Sequence, residues 1–196
     1  MSDLNEDLKK KFLHYLDNKQ YKRLQFESEM MGEIEDQHPL VMFYYASSIF
    51  LHEASKNDDL LFASELFEKV YGLNKKNLQS LYNMIAVSFR TKVFNKVFPL
   101  TLKAYEKNNN DVKLIEGLAR INFYLGNRKE SLKLFKILYN LLPEKTEGRL
   151  PFISSLNYTS GVSQQEYMSE CLNYTSLLEK KLKIENDDFK FDWKKN

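Results

Sequence analysis

The sequence predicts an all-α protein whose helical hairpins stack side by side into a superhelix, the architecture of an α-solenoid. Apolar residues recur at spacings of three and four through most of the chain, as they do along one face of an amphipathic helix. Only six glycines and four prolines occur among 196 residues, which suits long helices and short turns better than a β-sandwich or barrel. The helical stretches come in pairs at a period near 34 residues, as in helical-repeat proteins. We therefore expect about four hairpins, followed by a half-repeat and a capping helix.

The clearest hairpin lies in residues 112–145, where two helical stretches are separated by the turn 125–127. The residues of this hairpin follow a fixed order. Large apolar Ile115 and Leu118 and small Ala119 lie in the first helix, and small Ser131, aromatic Phe135 and the closing Pro143 come after the turn. This spacing resembles a tetratricopeptide unit, with departures at Ile115, where tryptophan is usual, and at Asn122, where an aromatic is usual. Small residues at 119 and 131 predict a close approach of the two helices.

The first hairpin is predicted from two amphipathic stretches, residues 3–17 and 21–35, joined by a short polar break. A break of that length favours an antiparallel pair. Met30 and Met31 near its end suit either an adaptable binding surface or the packed interior. We expect them in the core or in a contact between repeats.

The second hairpin is predicted over residues 39–53 and 60–73. Pro39 suits a first helical turn, and Ala63 with Phe67 repeats the small and aromatic pair of the clearest hairpin. The polar residues before Leu60 predict a turn enlarged by about five residues, which a solvent-facing loop tolerates.

The third hairpin is predicted to begin at residue 78, one period before residue 112. Its apolar positions align with those of the clearest hairpin without a gap. Pro99 would interrupt a helix interior, but with Asn95 as the N-cap it lies at the edge of the first turn, where a missing N–H costs little. We therefore expect one unbroken helix over residues 96–107.

The predicted organisation of the whole chain follows from these stretches. Repeats occupy residues 1–145, with units at about 3–36, 39–75, 78–111 and 112–145. A half-repeat and connecting helix occupy residues 146–184, and residues 185–196 form a linker toward a further domain.

Composition and motifs exclude several classes of function. The net charge of +2 and pI near 8.4 give no basis for nucleic-acid binding. No apolar run approaches a membrane span, and the charged start lacks the apolar core of a leader, so we expect a cytoplasmic protein. Cys171 is the only cysteine and is expected to be a small buried apolar residue, and the three histidines are too far apart for a helical metal pair. We expect no metal, no cofactor and no catalytic residue in this chain.

A more specific resemblance follows the repeats. The Leu156-Asn157-Tyr158 step leads to Ser163, an N-cap whose capping box Glu166 completes. This junction resembles that of bacterial relatives of O-linked N-acetylglucosamine transferase, the SPINDLY-like proteins. Two departures are Cys171 and Tyr174, where these relatives often carry histidine and tryptophan.

That resemblance implies a multidomain enzyme that transfers a sugar from a nucleotide sugar to Ser or Thr hydroxyls of proteins. The repeats would hold the acceptor, and the catalytic region would follow this chain. The resemblance also implies a ladder of asparagines along the first helices. Asn83 fits that ladder, but Gly117 and approximately Tyr44 stand at the other positions and interrupt it.

The candidate binding surface is the concave groove that the first helix of each hairpin lines. The residues predicted to line it mix amide, aromatic and charged groups: Gln79, Tyr82, Asn83, Arg90, Lys113, Glu116, Arg120 and Tyr124. Its arginines would pair with carboxylates of an extended peptide between the tyrosines. An ordinary polar groove without a peptide is the alternative.

Two functions follow, and the sequence leaves both open. The first is a non-catalytic region that binds acceptor proteins for a glycosyltransferase of the O-linked N-acetylglucosamine transferase type. The second is a stand-alone tetratricopeptide adaptor. A different catalytic domain after the repeats is a weaker third reading, and pairing of convex faces into a homodimer is also left open.

Overall fold

The computed structural model describes residues 2–142 and 146–182, and every regular element in those ranges is a helix. The ten α-helices are α1 (Ser2–Asp17), α2 (Tyr21–Glu29), α3 (Pro39–Leu51), α4 (Asn57–Leu73), α5 (Gln79–Thr91), α6 (Val97–Lys107), α7 (Val112–Tyr124), α8 (Arg128–Leu141), α9 (Thr146–Asn157) and α10 (Gln164–Leu182). A single 3-10 turn, Ile34–Asp36, precedes α3. The all-α expectation is confirmed. The expected closing proline at 143 and the predicted linker lie outside the described residues.

The chain forms two compact units, Met1–Ala104 and Tyr105–Asn196. We call them the N-terminal and C-terminal units and describe each by itself. The predicted division into repeats, half-repeat and linker stays a prediction.

The N-terminal unit begins with α1, α2 and α3 packed against one another. Their shared core contains Phe12, Tyr15, Leu24, Val41 and Tyr44, all buried. The rings of Phe12 and Tyr44 meet edge to face with centroids 5.9 Å apart, a favourable aromatic geometry. The first predicted hairpin therefore packs directly on the first helix of the second.

Helix α2 is six residues shorter than the sequence predicted, since it ends at Glu29 instead of residue 35. The chain turns after α2, and Gly32 adopts a φ of +124°, a conformation that side chains with a Cβ rarely adopt. This turn carries Met30 and Met31 away from the core, and they are 73% and 51% exposed. Their predicted burial is wrong, because the helix ends before them although the apolar pattern continues.

Helix α4 begins at Asn57, three residues earlier than predicted. The Asp59 carboxylate accepts a hydrogen bond from the Lys56 backbone N–H at 3.1 Å, so polar residues that resemble a loop form the first helical turn. Ala63 and Phe67 are fully buried. The Phe67 ring meets Phe43 of α3 at 5.7 Å, which couples the two helices of this hairpin.

Helix α6 runs from Val97 to Lys107 with Pro99 as its third residue, so the unbroken helix expected from the sequence is confirmed. The Asn95 side-chain oxygen accepts from the Lys96 N–H at 2.9 Å, just before the helix begins. Pro99 therefore lies where its missing N–H removes no hydrogen bond of the helix.

In the C-terminal unit, α7 and α8 approach closely, as the small residues predicted. The Ser131 hydroxyl donates to the Ala119 carbonyl at 2.8 Å, a bond that requires the two backbones to lie near each other. The turn between the helices contains Gly126 at a φ of +83°.

Helix α9 packs between α8 and α10. Buried Arg149 of α9 donates to the Asn173 carbonyl of α10 at 3.1 Å and to the Tyr139 hydroxyl of α8. Ser163 caps α10 by accepting from the Glu166 N–H at 3.1 Å, as predicted. Cys171 is only half-buried, because α10 packs along one side against α9 and has no fully buried residue.

Candidate protein-binding clefts

The eight predicted groove residues fall on two helices in different units. Gln79, Tyr82, Asn83 and Arg90 lie on α5, and Lys113, Glu116, Arg120 and Tyr124 lie on α7. Within α5, the Gln79 amide donates to the Asn83 side chain at 3.1 Å. Within α7, Arg120 and Glu116 form an ion pair at 3.4 Å. That the four residues of α5 and the four residues of α7 line one groove stays a prediction.

Arg90 makes contacts that the sequence did not indicate. Its guanidinium donates to the Phe50 carbonyl and lies 5.9 Å from the centroid of the Phe50 ring. A guanidinium on a carbonyl near the end of a helix satisfies an acceptor that the helix leaves open. Arg90 therefore connects α5 to the end of α3. Its contacts stabilise the N-terminal unit, in addition to its predicted role as a ligand contact.

The N-terminal unit contains a cleft of about 540 Å³ between the first helices of its hairpins. We call it the N-terminal cleft. Its walls come from α1, α3 and α5, with the end of α4 and the following loop: Glu6, Lys9, His38, Pro39, Leu40, Phe43, Tyr44, Val70, Leu73, Asn74, Asn77 and Gln79. Of the predicted groove residues, only Gln79 lines this cleft.

The N-terminal cleft combines an apolar wall with polar margins. Leu73 is 63% exposed at the end of α4, while Phe43 is half-buried. Lys9 pairs with Glu6 at 3.5 Å, so the two charges of the cleft largely satisfy each other. His38 caps α3 by accepting from the Leu40 N–H at 3.2 Å. Burial raises the pKa of Tyr44, which keeps its phenol neutral.

A smaller cleft of about 180 Å³ lies in the C-terminal unit, between α7, α8 and α9. We call it the C-terminal cleft. It is lined by Arg120, Phe123, Tyr124, Phe135, Pro151, Ser154 and Ser155. Two predicted groove residues, Arg120 and Tyr124, therefore share a cleft with α9, a helix that the groove prediction did not use.

The walls of the C-terminal cleft are held by residues that the prediction missed. The Arg128 guanidinium lies 3.7 Å from the centroid of the Phe123 ring and donates to the Phe123 carbonyl at 2.6 Å. Asn122 is buried, donates to the Leu118 carbonyl and accepts from Asn127, which ties the end of α7 to the turn. The one available signal was a cation, Arg128, two residues after Gly126, where a basic side chain can reach the last carbonyls of the preceding helix.

The chemistry of this cleft is apolar with one charge. Tyr124 is 53% exposed, and Phe135 is 3% exposed and lies deeper. Arg120 is about half exposed and can approach a ligand carboxylate. The buried Ser155 hydroxyl has no hydrogen-bond partner among the described residues.

A third cavity, of about 260 Å³, lies between α2, α3, α4 and the loop that follows α3. Several of its polar groups already bond one another or nearby groups. Gln25 donates to Ser48 at 3.1 Å, and Tyr45 donates to Glu29 at 2.8 Å. Burial and the Glu29 carboxylate raise the pKa of Tyr45. These internal bonds indicate a structural role for this cavity.

In the part of the chain that the structure describes, no group of three or more His, Cys, Asp or Glu side chains is placed to hold a metal ion. Over the same residues, no helix combines the length and apolar character needed to cross a bilayer.

No protein-family model and no curated protein sequence matches this chain. Solved structures of MamA do match it. A MamA structure from Desulfovibrio magneticus RS-1 aligns with a TM-score of 0.71 at 12% identity, covering 94% of this chain and 98% of that one. A structure of MamA MSR-1 aligns with a TM-score of 0.70 at 16% identity, covering 88% of this chain and 95% of that one. A further MamA crystal structure reaches 0.75 at 11% identity, covering 94% and 97%.

At these identities the likeness shows the fold alone. MamA is a tetratricopeptide-like helical solenoid, so the fold class expected from the sequence is confirmed. The chain is thus an all-α protein of the tetratricopeptide-like solenoid fold.

Proposed function

We propose that this chain is a non-catalytic protein-interaction scaffold that binds an extended segment of a partner protein. One observation carries the proposal. In each unit, successive first helices flank an apolar cleft with polar margins, α1, α3 and α5 in one unit and α7 and α9 in the other.

The sizes of the clefts support a peptide ligand. The N-terminal cleft, at about 540 Å³, lies within the range of about 300–1,000 Å³ that is usual for ligand pockets. The C-terminal cleft, at about 180 Å³, is below that range and suits a single large side chain. An extended peptide uses both kinds of surface, because its backbone lies along a groove while single side chains enter pockets.

The test is selection of peptides from a random displayed library on the full chain, followed by calorimetric titration of the selected peptides. Leu73→Glu places a charge in the N-terminal cleft at an exposed position, so folding should be unaffected. We expect it to weaken peptides that bind this cleft by about tenfold or more, equivalent to about 1.4 kcal/mol.

Leu61→Glu is the matched control, since Leu61 is on the same helix, is 37% exposed and does not line the cleft. Equal binding by wild type and Leu73→Glu would place the site elsewhere. A library that yields no binding peptide would contradict the scaffold function.

A second candidate is narrower: the scaffold holds acceptor proteins for a glycosyltransferase of the O-linked N-acetylglucosamine transferase type. The observation in its favour is the order of elements after α8, where α9 ends at Asn157 and Ser163 caps α10. Titration of UDP-N-acetylglucosamine into the longest natural polypeptide that contains this chain tests it. If the nucleotide sugar does not bind, the adaptor is the only one of the two functions that remains.

Two further proposals concern the state of the protein in the cell. We propose a cytoplasmic location, and we propose that homodimers form through faces away from the clefts. Light scattering of the full chain, with peptide binding measured at the same concentrations, would test the second. A dimer that loses peptide binding would contradict it.

A further inference from the structure

The outward face of α2 carries large apolar side chains where a surface helix usually carries polar ones. Phe26 is 62% exposed, and Met30, one turn later, is 73% exposed. The Met30 N–H donates to the Phe26 carbonyl at 3.0 Å, so the helical turn continues through Met30 and the two side chains are neighbours. Leu24 and Ser28, the buried residues of α2, lie on the opposite face. We call Phe26 and Met30 the apolar strip.

Charged residues of opposite sign lie at the two ends of the apolar strip. Lys22 precedes Phe26 by four residues, Glu29 follows it by three, and both are exposed. Among the described residues, neither Lys22 nor Glu29 belongs to an ion pair. The Glu29 carboxylate accepts a hydrogen bond from the Tyr45 phenol at 2.8 Å, which leaves its negative charge in place. Both charges can therefore pair with a partner.

The positions of these two charges match a two-fold axis through Phe26. At about 100° per residue, Lys22 and Glu29 lie on the same side of Phe26, by about 40° and about 60°. Lys22 is about 6 Å before Phe26 along the helix, and Glu29 is about 4.5 Å after it. When two copies of α2 pair antiparallel about this axis, residues at opposite heights on the same side meet. Lys22 of each copy then meets Glu29 of the other, and the two Phe26 rings meet at the centre.

We propose that α2 is a homodimer interface, in which the apolar strips of two copies of the chain pack antiparallel and Lys22 pairs with Glu29 at both ends. The proposal rests on the homodimer of the proposed function and deepens it by naming the surface. Among the described residues that line either cleft, none belongs to α2. The interface therefore leaves both clefts open to a peptide.

The charge pattern favours a second copy as the partner. A two-fold interface uses the same surface on both subunits, so that surface must be complementary to itself. A face with charges of one sign repels its own copy, whereas a face that is basic at one end and acidic at the other attracts its antiparallel copy. Like charges would meet in the parallel arrangement, so the same residues also select the antiparallel one.

The interface is small, which sets the strength expected of the dimer. Helix α2 has nine residues, a length of about 14 Å at 1.5 Å per residue. A face of that length buries less than the roughly 1,200–2,000 Å² of a stable specific interface. We therefore expect a weak dimer, with a dissociation constant on the order of 10–100 μM.

Sedimentation equilibrium of the full chain, from about 5 μM to about 1 mM, tests the interface, because the fraction of dimer follows mass action. We expect wild type to follow a monomer–dimer equilibrium. Phe26→Glu places two like charges together at the two-fold axis and should weaken the dimer at least about tenfold. Leu61→Glu is the matched control, since it makes the same kind of change at an exposed apolar position of α4. It should leave association unchanged.

Exchange of the charges tests the antiparallel register. Lys22→Glu places two carboxylates together at each end and should weaken the dimer about fivefold or more. The double variant Lys22→Glu/Glu29→Lys restores opposite charges at both ends and should dimerise within about twofold of wild type. Lys22→Glu mixed with Glu29→Lys should form a heterodimer in preference to either homodimer, because only the mixed pair joins opposite charges.

Three results overturn the proposal: wild type that stays monomeric at every concentration, Phe26→Glu that associates like wild type, or a double variant as weak as Lys22→Glu. Growth beyond the dimer also overturns it, since a two-fold interface closes at two copies. Glu29→Lys also loses the hydrogen bond from Tyr45, so circular dichroism is used to check that it is folded. Lys22→Glu tests the register without that change.

Peptide titration separates this proposal from the proposed function. Phe26→Glu should bind the selected peptides with wild-type affinity, since no described residue of α2 lines a cleft. A monomeric wild type that binds peptides overturns the α2 interface and leaves the scaffold intact. A dimer that responds to these substitutions but binds no peptide supports the interface and refutes the peptide-binding scaffold.

Discussion

The two clefts differ in size and charge although both lie between first helices. The N-terminal cleft draws on three first helices and is about three times larger, at about 540 Å³ against about 180 Å³. Its two charged residues, Glu6 and Lys9, pair with each other inside the cleft, whereas the one charged residue that lines the C-terminal cleft, Arg120, pairs with Glu116, which does not line it. The hairpin scaffold therefore sets where a cleft forms, and the side chains at the first-helix positions set what it can bind.

One pair of equivalent residues shows how this difference arises. Phe67 and Phe135 occupy the same position of their hairpins, four residues after a small residue. Phe67 is fully buried and packs on Phe43, which itself lines the N-terminal cleft. Phe135 lines the C-terminal cleft directly. The same pattern thus yields a buried aromatic residue in both units, and Phe135 also borders a cleft.

Truncating these two aromatic residues should have the largest effect. Phe67→Ala should lower the free energy of unfolding by about 3–5 kcal/mol, because it opens a cavity in a closed core. Phe135→Ala should cost less, at most about 3 kcal/mol, since its cavity joins an existing cleft. Urea unfolding followed by circular dichroism measures both. Equal losses would show that Phe135 is as enclosed as Phe67.

The next largest difference is expected between Arg90 and Arg120, the two arginines proposed for peptide binding, in their contribution to the free energy of unfolding. Arg90→Ala should destabilise the protein by about 1 kcal/mol, because it removes a charged donor from the Phe50 carbonyl and an exposed cation–π contact. Arg120→Ala should change stability by less than about 0.5 kcal/mol, since its pair with Glu116 is exposed. The comparison is made by urea unfolding together with peptide titration. A larger loss for Arg120→Ala would reverse these roles.

The N-terminal unit should also show a specific response to acid. Lys11 lies 2.5 Å from the Glu27 carboxylate, and Tyr15 donates to it at 2.7 Å. The Lys11 hydrogen bond, and then that of Tyr15, lowers the pKa of Glu27 below its ordinary value of 4.5. The resulting stability is present above about pH 4.5 and is lost as the pH falls through the lower, folded-state pKa.

We expect this contribution to be about 0.2–1 kcal/mol, since Lys11 is half exposed. Glu27→Gln should remove it and flatten stability below pH 4.5, while Glu53→Gln, at an exposed loop position, serves as the control. The same pair raises the pKa of Lys11, so its stabilisation disappears only as the pH rises through that raised value. Identical pH profiles for Glu27→Gln and wild type would contradict this assignment.

The last expected effect is opposite in sign, a gain in stability at the C-terminal cleft. Ser155 buries an unpartnered hydroxyl, which costs about 1–3 kcal/mol before any relaxation. Ser155→Ala should therefore raise the free energy of unfolding by up to about 1 kcal/mol. Ser131→Ala is the matched control and should lower it by about 1 kcal/mol, because the Ser131 hydroxyl bonds the Ala119 carbonyl. A loss in Ser155→Ala would indicate that its hydroxyl has a partner in solution.

Most of the helices could be predicted because their signals are local. Gly126 follows the end of helix α7 at a positive φ. His38 and Ser163 cap the helices that follow them, and Pro99 lies in a first turn. The errors occurred where a local signal was ambiguous. The polar residues from Asn57 to Asp59 resemble a loop but cap α4, and Met30 and Met31 continue an apolar pattern beyond the end of α2.

The candidate site could be predicted only in part. First-helix positions indicated Gln79, Arg120 and Tyr124, which do line clefts. Leu73 was missed because it lies at the end of α4, a second helix, and Pro151 and Ser154 were missed because the groove prediction did not use α9. Arg90 was assigned to the groove, but its contact with Phe50 joins residues forty positions apart.

The sequence by itself determined most of the helices and the close approach of α7 to α8. These features depend on periodicity, caps and small residues within a few turns of one another. Only the tertiary structure decided which buried apolar side chains also border a cleft, as Phe67 and Phe135 illustrate. Burial depends on the neighbouring hairpin, and the pattern within one hairpin does not specify that neighbour's side chains.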